Sequence, residues 1–329
     1  MNFSKKRLQA YQLLLLNTLI WGAAFVIIKP AFEITTPFRF LFLRFALASI
    51  LSLPIFWHYW RKGRIYAKDV LIIIVLELLG TTVGLSLVYS GLALTTALEA
   101  NLIGTTAPLF LVVMSVFFLK ERQERYEWIG LVITFLGTLV ITLLPILTHG
   151  QVTWQASLLG NLLILGSNIT DSGYLAMAKR WYSRLPKLFV AAISFLVGMI
   201  SFGLLAAWQV EWSIPKLVSL LSHDITATSV QRAVLYMATL GSIVALSAYI
   251  KAQDNIEASE ASIFRYLQPL VYIPLAIIFL KESFTIVHFV GLLLIFSGVL
   301  YSLHRSKQKK QSIFRRILNK GARPLFLKK

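Results

Sequence analysis

The chain has 329 residues, of which 57% are hydrophobic, and its mean hydropathy is +0.73. A soluble domain has no room to bury this much apolar surface, and apolar runs of about 20 residues, the length that a helix needs to cross a bilayer, recur along the chain. The composition indicates an integral membrane protein, and the continuous runs exclude a membrane β-barrel, whose strands alternate apolar and polar residues. The net charge of +18 lies mainly in predicted loops and the C-terminal tail, so it does not indicate nucleic-acid binding.

Ten membrane-spanning helices are predicted. The first is interpreted as a retained helix, because its apolar run continues through Ile28 without the small-residue site at which a signal peptide is cleaved. The predicted spans are residues 9–31, 38–57, 69–91, 95–119, 125–146, 154–178, 187–208, 230–251, 258–280 and 285–303. They divide the chain into a short N-terminal segment, two five-helix halves and a basic tail, at residues 1–8, 9–146, 154–303 and 304–329.

A stretch of the first half is repeated in the second half. Residues Ala97 to Gly137 align without a gap with Ala258 to Gly298, at a shift of 161 positions. Each copy contains an apolar helix with a proline inside it, a short Phe-Leu-Lys-Glu end and a second apolar helix. A self-match of this length indicates that the two halves share one fold.

The number of spans in each half predicts how the halves are related. Because five is odd, the second half enters the membrane from the opposite side, so the repeats are expected to be inverted about an axis in the membrane plane. With the N-terminus inside, 25 Lys and Arg residues lie in cytoplasmic segments, 3 lie outside and 4 lie in or at the ends of spans. The excess of positive charge predicts a multi-pass protein of the cell membrane with both termini in the cytoplasm.

Four ionisable residues inside spans are candidates for function, because a charge in the bilayer costs a few kcal/mol or more. They are Arg44, Glu77, Asp171 and Arg265. Asp171 and Arg265 are predicted at similar depths, so they either form an ion pair that locks two helices or line a polar cavity. Glu77 either pairs with Arg44 or forms a buried hydrogen bond, or it has a role in transport.

Three further charged residues, Lys29, Glu33 and Arg39, lie near the outer ends of spans 1 and 2. Long side chains in such positions commonly extend to the membrane surface. We therefore expect these three to be interfacial rather than functional.

Polar residues also follow one face of span 4. Asn101, Thr105 and Pro108 are spaced by four and three residues, and the counterpart of Thr105 in span 9 is Tyr266. A proline inside a helix frees a carbonyl group, which is tolerated where that group meets water or a ligand. The stripe indicates either a ligand site or helix–helix hydrogen bonding. Trp21, in the middle of span 1, is expected to form part of a cavity wall.

No enzyme motif is found in the sequence. The five histidines are scattered among loops and span ends, and there is no H-E-x-x-H, P-loop or G-x-S-x-G sequence and no cluster with metal-ligand spacing. The absence of cysteine excludes disulfides, zinc–thiolate sites and iron–sulfur clusters. Together with the repeat, this pattern favours a transporter without metal or cofactor over an enzyme.

The chain resembles the EamA family of the drug/metabolite transporter superfamily. The matching features are Trp21-Gly22, Arg44 with the following FALAS, the A-x-E-A…P…F-L-K-E pattern in both repeats, and the glycine pairs 130/137 and 291/298. The resemblance implies ten helices in two inverted repeats, a central cavity lined by spans that include 3, 4, 8 and 9, and alternating access by rocking of helices. Arg265 and Tyr266, in place of Gly104 and Thr105, depart from a symmetric cavity, so a family member's specificity cannot be transferred.

Residues and resemblance together predict a secondary transporter that exports amino acids or related small metabolites. The expected substrate-binding residues are Trp21, Arg44, Glu77, Tyr89, Asn101, Thr105, Asp171, Arg265 and Tyr266. Accumulation against a gradient needs a proton, carried by Glu77 or Asp171, or an exchange substrate. The alternatives are a carrier or flippase for phosphorylated or lipid-linked groups bound by Arg44 and Arg265, and an intramembrane enzyme or scaffold. A homodimer is left open.

Overall fold

The computed structural model describes residues 3–61, 66–119, 125–149, 153–182, 185–253, 264–298 and 300–301. These residues form helices joined by short turns, and no strand occurs among them. The prediction of an all-helical protein is therefore confirmed for the described part of the chain.

The helices of the first half follow the predicted spans. They are α1 (Phe3–Ile28), α2 (Pro37–Arg61), α3 (Ala67–Glu77), α4 (Leu85–Leu94), α5 (Ala97–Gly104), α6 (Ala107–Leu119) and α7 (Arg125–His149). A π-helical segment, Leu78–Gly84, joins α3 and α4 into one rod. Pro108, which has no N–H to donate, follows the break between α5 and α6.

The described helices of the second half follow this order with one addition, and the counterpart of α5, residues 258–265, lies mostly outside the described part of the chain. Its helices are α8 (Thr153–Trp181), α9 (Lys187–Gln209), α10 (Ile214–Thr226), α11 (Thr228–Leu235), α12 (Ala245–Gln253), α13 (Pro269–Leu280) and α14 (Ile286–Gly298). A second π-helical segment, Tyr236–Val244, joins α11 and α12. The added helix, α10, lies between α9 and α11, where the first half has only residues 62–66 between α2 and α3.

Six helical rods of the described chain are long and apolar enough to cross a membrane. They are Lys6–Glu33, Pro37–Arg61, Ala67–Leu94, Ala97–Phe118, Lys187–Gln209 and Thr228–Tyr249. Three shorter apolar helices, Trp128–Ile141, Pro269–Leu280 and Ile286–Gly298, coincide with predicted spans 5, 9 and 10. α8 coincides with span 6 but carries many polar residues, for which the site below gives the reason. Ten spans remain the expectation from the sequence.

The two halves pack against each other through α2 and α9, the second helix of each half. Phe45 of α2 stacks on Phe202 at 5.7 Å between ring centroids and lies 6.2 Å from Phe195. Its ring also lies directly over Gly198, where an added Cβ would be 2.8 Å away. The main apolar core therefore lies between the halves and holds the site residues in place.

α7 and α14 cross with their glycines in contact. A Cβ added at Gly298 would lie 2.6 Å from the carbonyl oxygen of Gly130, and one added at Gly137 would lie 2.8 Å from that of Gly291. The start of each helix thus faces the end of the other, so the helices run antiparallel. The shift of 161 residues converts one contact into the other. Inverted repeats require this crossing, whereas parallel repeats would place Gly130 beside Gly291.

We expect Gly298→Ala to destabilise the protein. The added Cβ would lie 2.4 Å from Thr134 Oγ1 and 2.6 Å from the Gly130 carbonyl oxygen, and backbone cannot move aside cheaply. The free energy of unfolding should fall by about 1–3 kcal/mol, measured as a lower melting temperature of the purified protein. Gly104→Ala is the matched control, since nothing lies within 4 Å of its added Cβ. Equal melting of the two variants would contradict the close crossing.

A buried ion pair attaches α10 to the first half. Asp224 has no exposed surface, and it accepts hydrogen bonds from Arg39 Nε at 2.7 Å and from the Thr35 hydroxyl at 2.6 Å. The expectation that Arg39 extends to the membrane surface is therefore wrong. The helix α10, which lies outside the ten predicted spans, supplies its carboxylate partner.

Candidate functional site

The two π-helical segments occupy equivalent places in the repeat. The shift of 161 residues converts 78–84 into 239–245, which overlaps Tyr236–Val244. π-Helical turns interrupt regular hydrogen bonding and occur frequently at functional sites. Glu77 directly precedes the first segment, and Arg44 contacts the second.

Glu77 is held by hydroxyl groups. Its side chain is 1% exposed and accepts hydrogen bonds from Thr81 at 2.6 Å, Ser194 at 2.6 Å, Tyr174 at 2.7 Å and Tyr182 at 3.1 Å. Burial and the nearby carboxylate raise the pKa of Tyr182, so its hydroxyl stays protonated and able to donate. No basic side chain of the described chain pairs with Glu77, so the predicted pairing with Arg44 is wrong, whereas the predicted buried hydrogen bonding is present.

Arg44 carries a positive charge, whereas Glu77 is a carboxylate. Its guanidinium is buried, with Nη1 donating to the Tyr89 hydroxyl at 2.6 Å and Nη2 donating to Ser242 Oγ at 3.3 Å. The guanidinium carbon lies 5.0 Å from the ring centroid of Phe45 and 5.8 Å from that of Tyr89, within reach of cation–π attraction. The structure thus brings together Arg44 and Tyr89, two predicted site residues.

The surroundings of Glu77 and Arg44 are related by the repeat. Thr81 and Ser242 differ by the shift of 161 residues, and Arg44 and Ser194 are each seven residues after the first residue of their helix. The contact of Arg44 with Ser242 therefore corresponds to the contact of Ser194 with Thr81, whose hydroxyl oxygens are 3.1 Å apart. Both charged residues belong to the first half, because the second half has Ala238 in the place of Glu77 and Ser194 in the place of Arg44.

Trp21 connects α1 to the second π-helical segment. Its indole Nε1 donates to the carbonyl oxygen of Gly241 at 3.2 Å, and the Tyr236 hydroxyl donates to the carbonyl oxygen of Ile20 at 2.7 Å. Asn17, one turn earlier, donates to the carbonyl oxygen of Ala245 at 2.9 Å. α1 therefore supplies hydrogen-bond partners to the irregular turn. The expectation that Trp21 forms a cavity wall stays a prediction.

The polar stripe of span 4 satisfies the backbone at the break between α5 and α6. Asn101 and Thr105 bond to carbonyl groups of their own helix, those of Ala97 and Leu102. On the facing helix, Asn168 donates to the Ile103 carbonyl oxygen at 2.9 Å and Ser172 donates to that of Ala107 at 3.1 Å. The helix–helix hydrogen bonds at this break are donated by α8, and they account for its polar residues Asn168 and Ser172. Asn101 and Thr105 bond within their own helix, so a ligand-binding role for the stripe stays a prediction.

Asp171 lies on α8 in a different environment from Glu77. Its side chain is exposed, and a Cβ added at Gly84 would lie 3.8 Å from its Oδ1. The side chains of its predicted partner Arg265 and of Tyr266 lie outside the described part of the chain, as does Ser262. The pairing of Asp171 with Arg265 remains a prediction.

A second polar cluster lies at the predicted outer ends of the helices. Glu282, in the turn between α13 and α14, accepts hydrogen bonds from the backbone N–H groups of Ala97 and Leu98, each at 2.7 Å. The Thr96 hydroxyl accepts a hydrogen bond from the backbone N–H of Glu99 at 3.1 Å. The free N–H groups at the start of α5 are thus satisfied, two of them by the other half of the chain. The Phe-Leu-Lys-Glu motif of the second repeat is explained by this cap.

Lys29 and Glu99 complete the cluster, which we call the outer clamp (Lys29, Thr95, Glu99, Glu282 and His288). The Lys29 ammonium donates to the carbonyl oxygens of Leu92, Ala93 and Thr95, at the end of α4. Glu99 accepts from Thr95, from Ser157 at 2.9 Å and from Asn161 at 3.0 Å, and its Oε1 is 3.9 Å from His288 Nε2.

The outer clamp was missed by the sequence interpretation. Lys29 was expected to reach the membrane surface, but its ammonium is turned to the backbone of the α4–α5 turn. Glu99 and Glu282 appear in the sequence analysis only as part of the repeated A-x-E-A…P…F-L-K-E pattern, with no structural role. The available signal was that a repeated glutamate at a helix end often serves as a cap, although the helix that it caps is not given by the spacing. Among the described residues, no group of three or more His, Cys, Asp or Glu could hold a metal ion.

Comparisons with known proteins agree with this architecture. The model of the EamA-like transporter family matches residues 8–143 and 158–303. The uncharacterized transporter YetK of Bacillus subtilis is 26% identical over 309 residues, which cover 92% of this chain and 89% of that protein. The uncharacterized transporter YcxC of the same bacterium is 28% identical over 294 residues, which cover 89% of this chain and 92% of that protein.

A solved crystal structure shares the fold at 17% sequence identity, with a TM-score of 0.50, covering 93% of this chain and 98% of its own. The relatives named as transporters match nearly the whole chain, as does the family model. The chain therefore belongs to the EamA-like transporter family, as its motifs predicted.

Proposed function

We propose that this family member is a secondary transporter that exports amino acids or related small metabolites by alternating access, driven by protons. The observation that carries the proposal is Glu77, a fully buried carboxylate inside a spanning rod whose only described partners are four hydroxyl groups. A purely structural ion pair would place a Lys or Arg beside it.

The surroundings of Glu77 suit a group that gains and loses a proton. Hydroxyl groups can donate to an ionised carboxylate and can accept from a protonated one, so both forms can be satisfied. Tyr182, at the end of α8 that is predicted to face the cytoplasm, contacts Glu77 and is only partly buried. Tyr182 therefore offers a hydrogen-bonded connection from Glu77 toward the inner surface.

The outer clamp supports alternating access. It joins α1, the α4–α5 turn, α8 and the α13–α14 turn, and so both halves of the chain, at one end of the bundle. Polar contacts between rigid helices can be exchanged as a unit when the halves rock. In this proposal, the outer clamp holds the outer end of the helix bundle closed.

The transport proposal is tested by efflux. Cells with and without the protein are loaded with a mixture of amino acids and small metabolites, and the medium is analysed by mass spectrometry. We expect at least one amino acid or related metabolite to appear faster with the protein. Export of phosphorylated compounds alone would favour the alternative carrier. If the media of cells with and without the protein contained the same metabolites while folded protein was present in the membrane, the result would contradict export.

We expect Glu77→Gln to remove the response to a pH gradient. The amide keeps the size of the side chain but cannot carry a proton. Flux driven by a pH gradient in proteoliposomes should fall at least about tenfold, because one lost protonation step removes the driving force. Glu33→Gln, which changes an exposed carboxylate, is the control. Unchanged pH-driven flux in Glu77→Gln would contradict the role of Glu77.

A further inference from the structure

Arg44 is a buried cation without an anion. Its Nε is buried and has no hydrogen-bond partner among the described residues, and its Nη1 and Nη2 donate to neutral hydroxyl groups. Within the described residues no carboxylate forms an ion pair with it, in contrast to Arg39, which bonds Asp224 at 2.7 Å. Burying a guanidinium without a counter-charge is costly, so an anion is expected at this position in part of the working cycle.

The groups around Arg44 are all donors. The Tyr89 and Ser242 hydroxyls accept from the guanidinium, which leaves their own protons free to donate. Together with Nε they offer three donors to a ligand. The Phe45 and Tyr89 rings fix the plane of the guanidinium. A fixed planar donor set of this kind matches a planar carboxylate.

Ser242 also lines a cleft between α2, α9 and the second π-helical segment. The other residues of the cleft are mainly apolar and include Ser52, Ile55, Ala192, Phe195, Ile243 and Leu246. Ser52 and Ile55 lie two to three turns beyond Arg44 along α2, toward the end that is predicted to face the cytoplasm. The cleft therefore leads from the inner end of the bundle to the hydroxyl that Arg44 contacts.

We propose that the substrate is a small amphipathic carboxylate whose carboxylate binds Arg44, Tyr89 and Ser242 and whose apolar part extends toward the narrow cleft between α2, α9 and the second π-helical segment. This inference rests on the proposed function and specifies its substrate class. It places the head of the substrate at Arg44 and not at Glu77, which remains the proton carrier. The repeat explains the division, because the position of Arg44 in the first half is Ser194 in the second half.

The test uses a matched pair of probes, 4-methylpentanoate and its neutral amide, which differ only in charge. The protein in lipid nanodiscs is titrated with each probe by calorimetry, and its melting temperature is measured at the same probe concentrations. We expect the carboxylate to bind and to raise the melting temperature, and the amide to bind at least about tenfold more weakly.

Two variants locate the binding site. Ser242→Ala should weaken carboxylate binding about five- to tenfold through loss of one hydrogen bond, and Arg44→Gln should remove the preference for the carboxylate. Ser49→Ala is the matched control, because Ser49 lies on α2 with Arg44 and its buried hydroxyl has no hydrogen-bond partner among the described residues. Ser242→Ala keeps the proposal testable if Arg44→Gln fails to fold.

The inference is overturned if acid and amide bind equally, or if Ser242→Ala binds the carboxylate like the parent protein. Its failure is distinguishable from failure of the transport proposal. Efflux of neutral metabolites without carboxylate binding would leave transport intact and reject the substrate class. Carboxylate binding without efflux of any compound would support the proposed binding site and contradict the transport proposal.

Discussion

Asp224→Ala is expected to lower the free energy of unfolding by about 3–5 kcal/mol, the usual cost of removing one partner of a buried ion pair. The substitution leaves the Arg39 guanidinium, 8% exposed, without its carboxylate, and it removes the acceptor of the Thr35 hydroxyl. Since these bonds attach α10 to α2, we also expect α10 to detach before the remainder unfolds. Melting temperature and hydrogen exchange of α10 measure both effects.

Two further variants separate the causes. Lys216→Ala, an exposed change on the same helix, should leave the melting temperature unchanged. The double variant Arg39→Met with Asp224→Leu should recover most of the stability, because it removes both charges and keeps the volume apolar. If Asp224→Ala melted like Lys216→Ala, the ion pair would not be what holds α10 in place.

The fold was largely predictable from the sequence because its signals are long. Apolar runs of spanning length identify the helices, and the match of residues Ala97–Gly137 with Ala258–Gly298 identifies the repeat. The antiparallel crossing of α7 and α14 follows from the same alignment, since only inversion places Gly130 against Gly298 and Gly137 against Gly291. The π-helical segments carry no comparable signal, because their residues read as ordinary apolar helix.

The partners of the charged residues could not be predicted. A charge inside a span shows that a partner is needed but not where the chain supplies it. Lys29 finds its partners 63–66 residues away and Arg39 finds its partner 185 residues away. Because Lys29 and Arg39 both lie near helix ends, the sequence suggested that their side chains reach the membrane surface. Such contacts are set by the packing of the two halves, which depends on many weak apolar contacts at once.

The two residues to which the proposed function gives the main roles, Glu77 and Arg44, both depart from the repeat symmetry. The shift of 161 residues places Ala238 opposite Glu77, and Ser194 stands in the place of Arg44. A symmetric pair of carboxylates or guanidinium groups could not separate a proton site from a substrate site. In the proposed cycle, the shared fold of the two halves allows them to rock between two states, and their different side chains provide separate sites for the proton and the substrate.

Lys29→Met is expected to open the outer end of the bundle. The ammonium donates to three carbonyl oxygens at the end of α4, and the charges of Glu99 and Glu282 act on it. Without it, these two carboxylates of the outer clamp lose the nearby positive charge. The loss of charge-assisted hydrogen bonds should shift the closed–open equilibrium by about 2–3 kcal/mol, which is roughly 30- to 150-fold.

The cysteine-free sequence makes this shift measurable. Ala100→Cys introduces a single thiol at a position with no exposed surface, one residue beyond Glu99. In nanodiscs, a polar maleimide should label this thiol at least about tenfold faster when Lys29→Met is added. Lys281→Met, which removes an exposed ammonium at the same end, should leave labelling unchanged. Because an unfolded protein would also label quickly, the melting temperature must stay well above the assay temperature. Slow labelling of a folded Lys29→Met protein would mean that the closed end is held by apolar packing and not by the clamp.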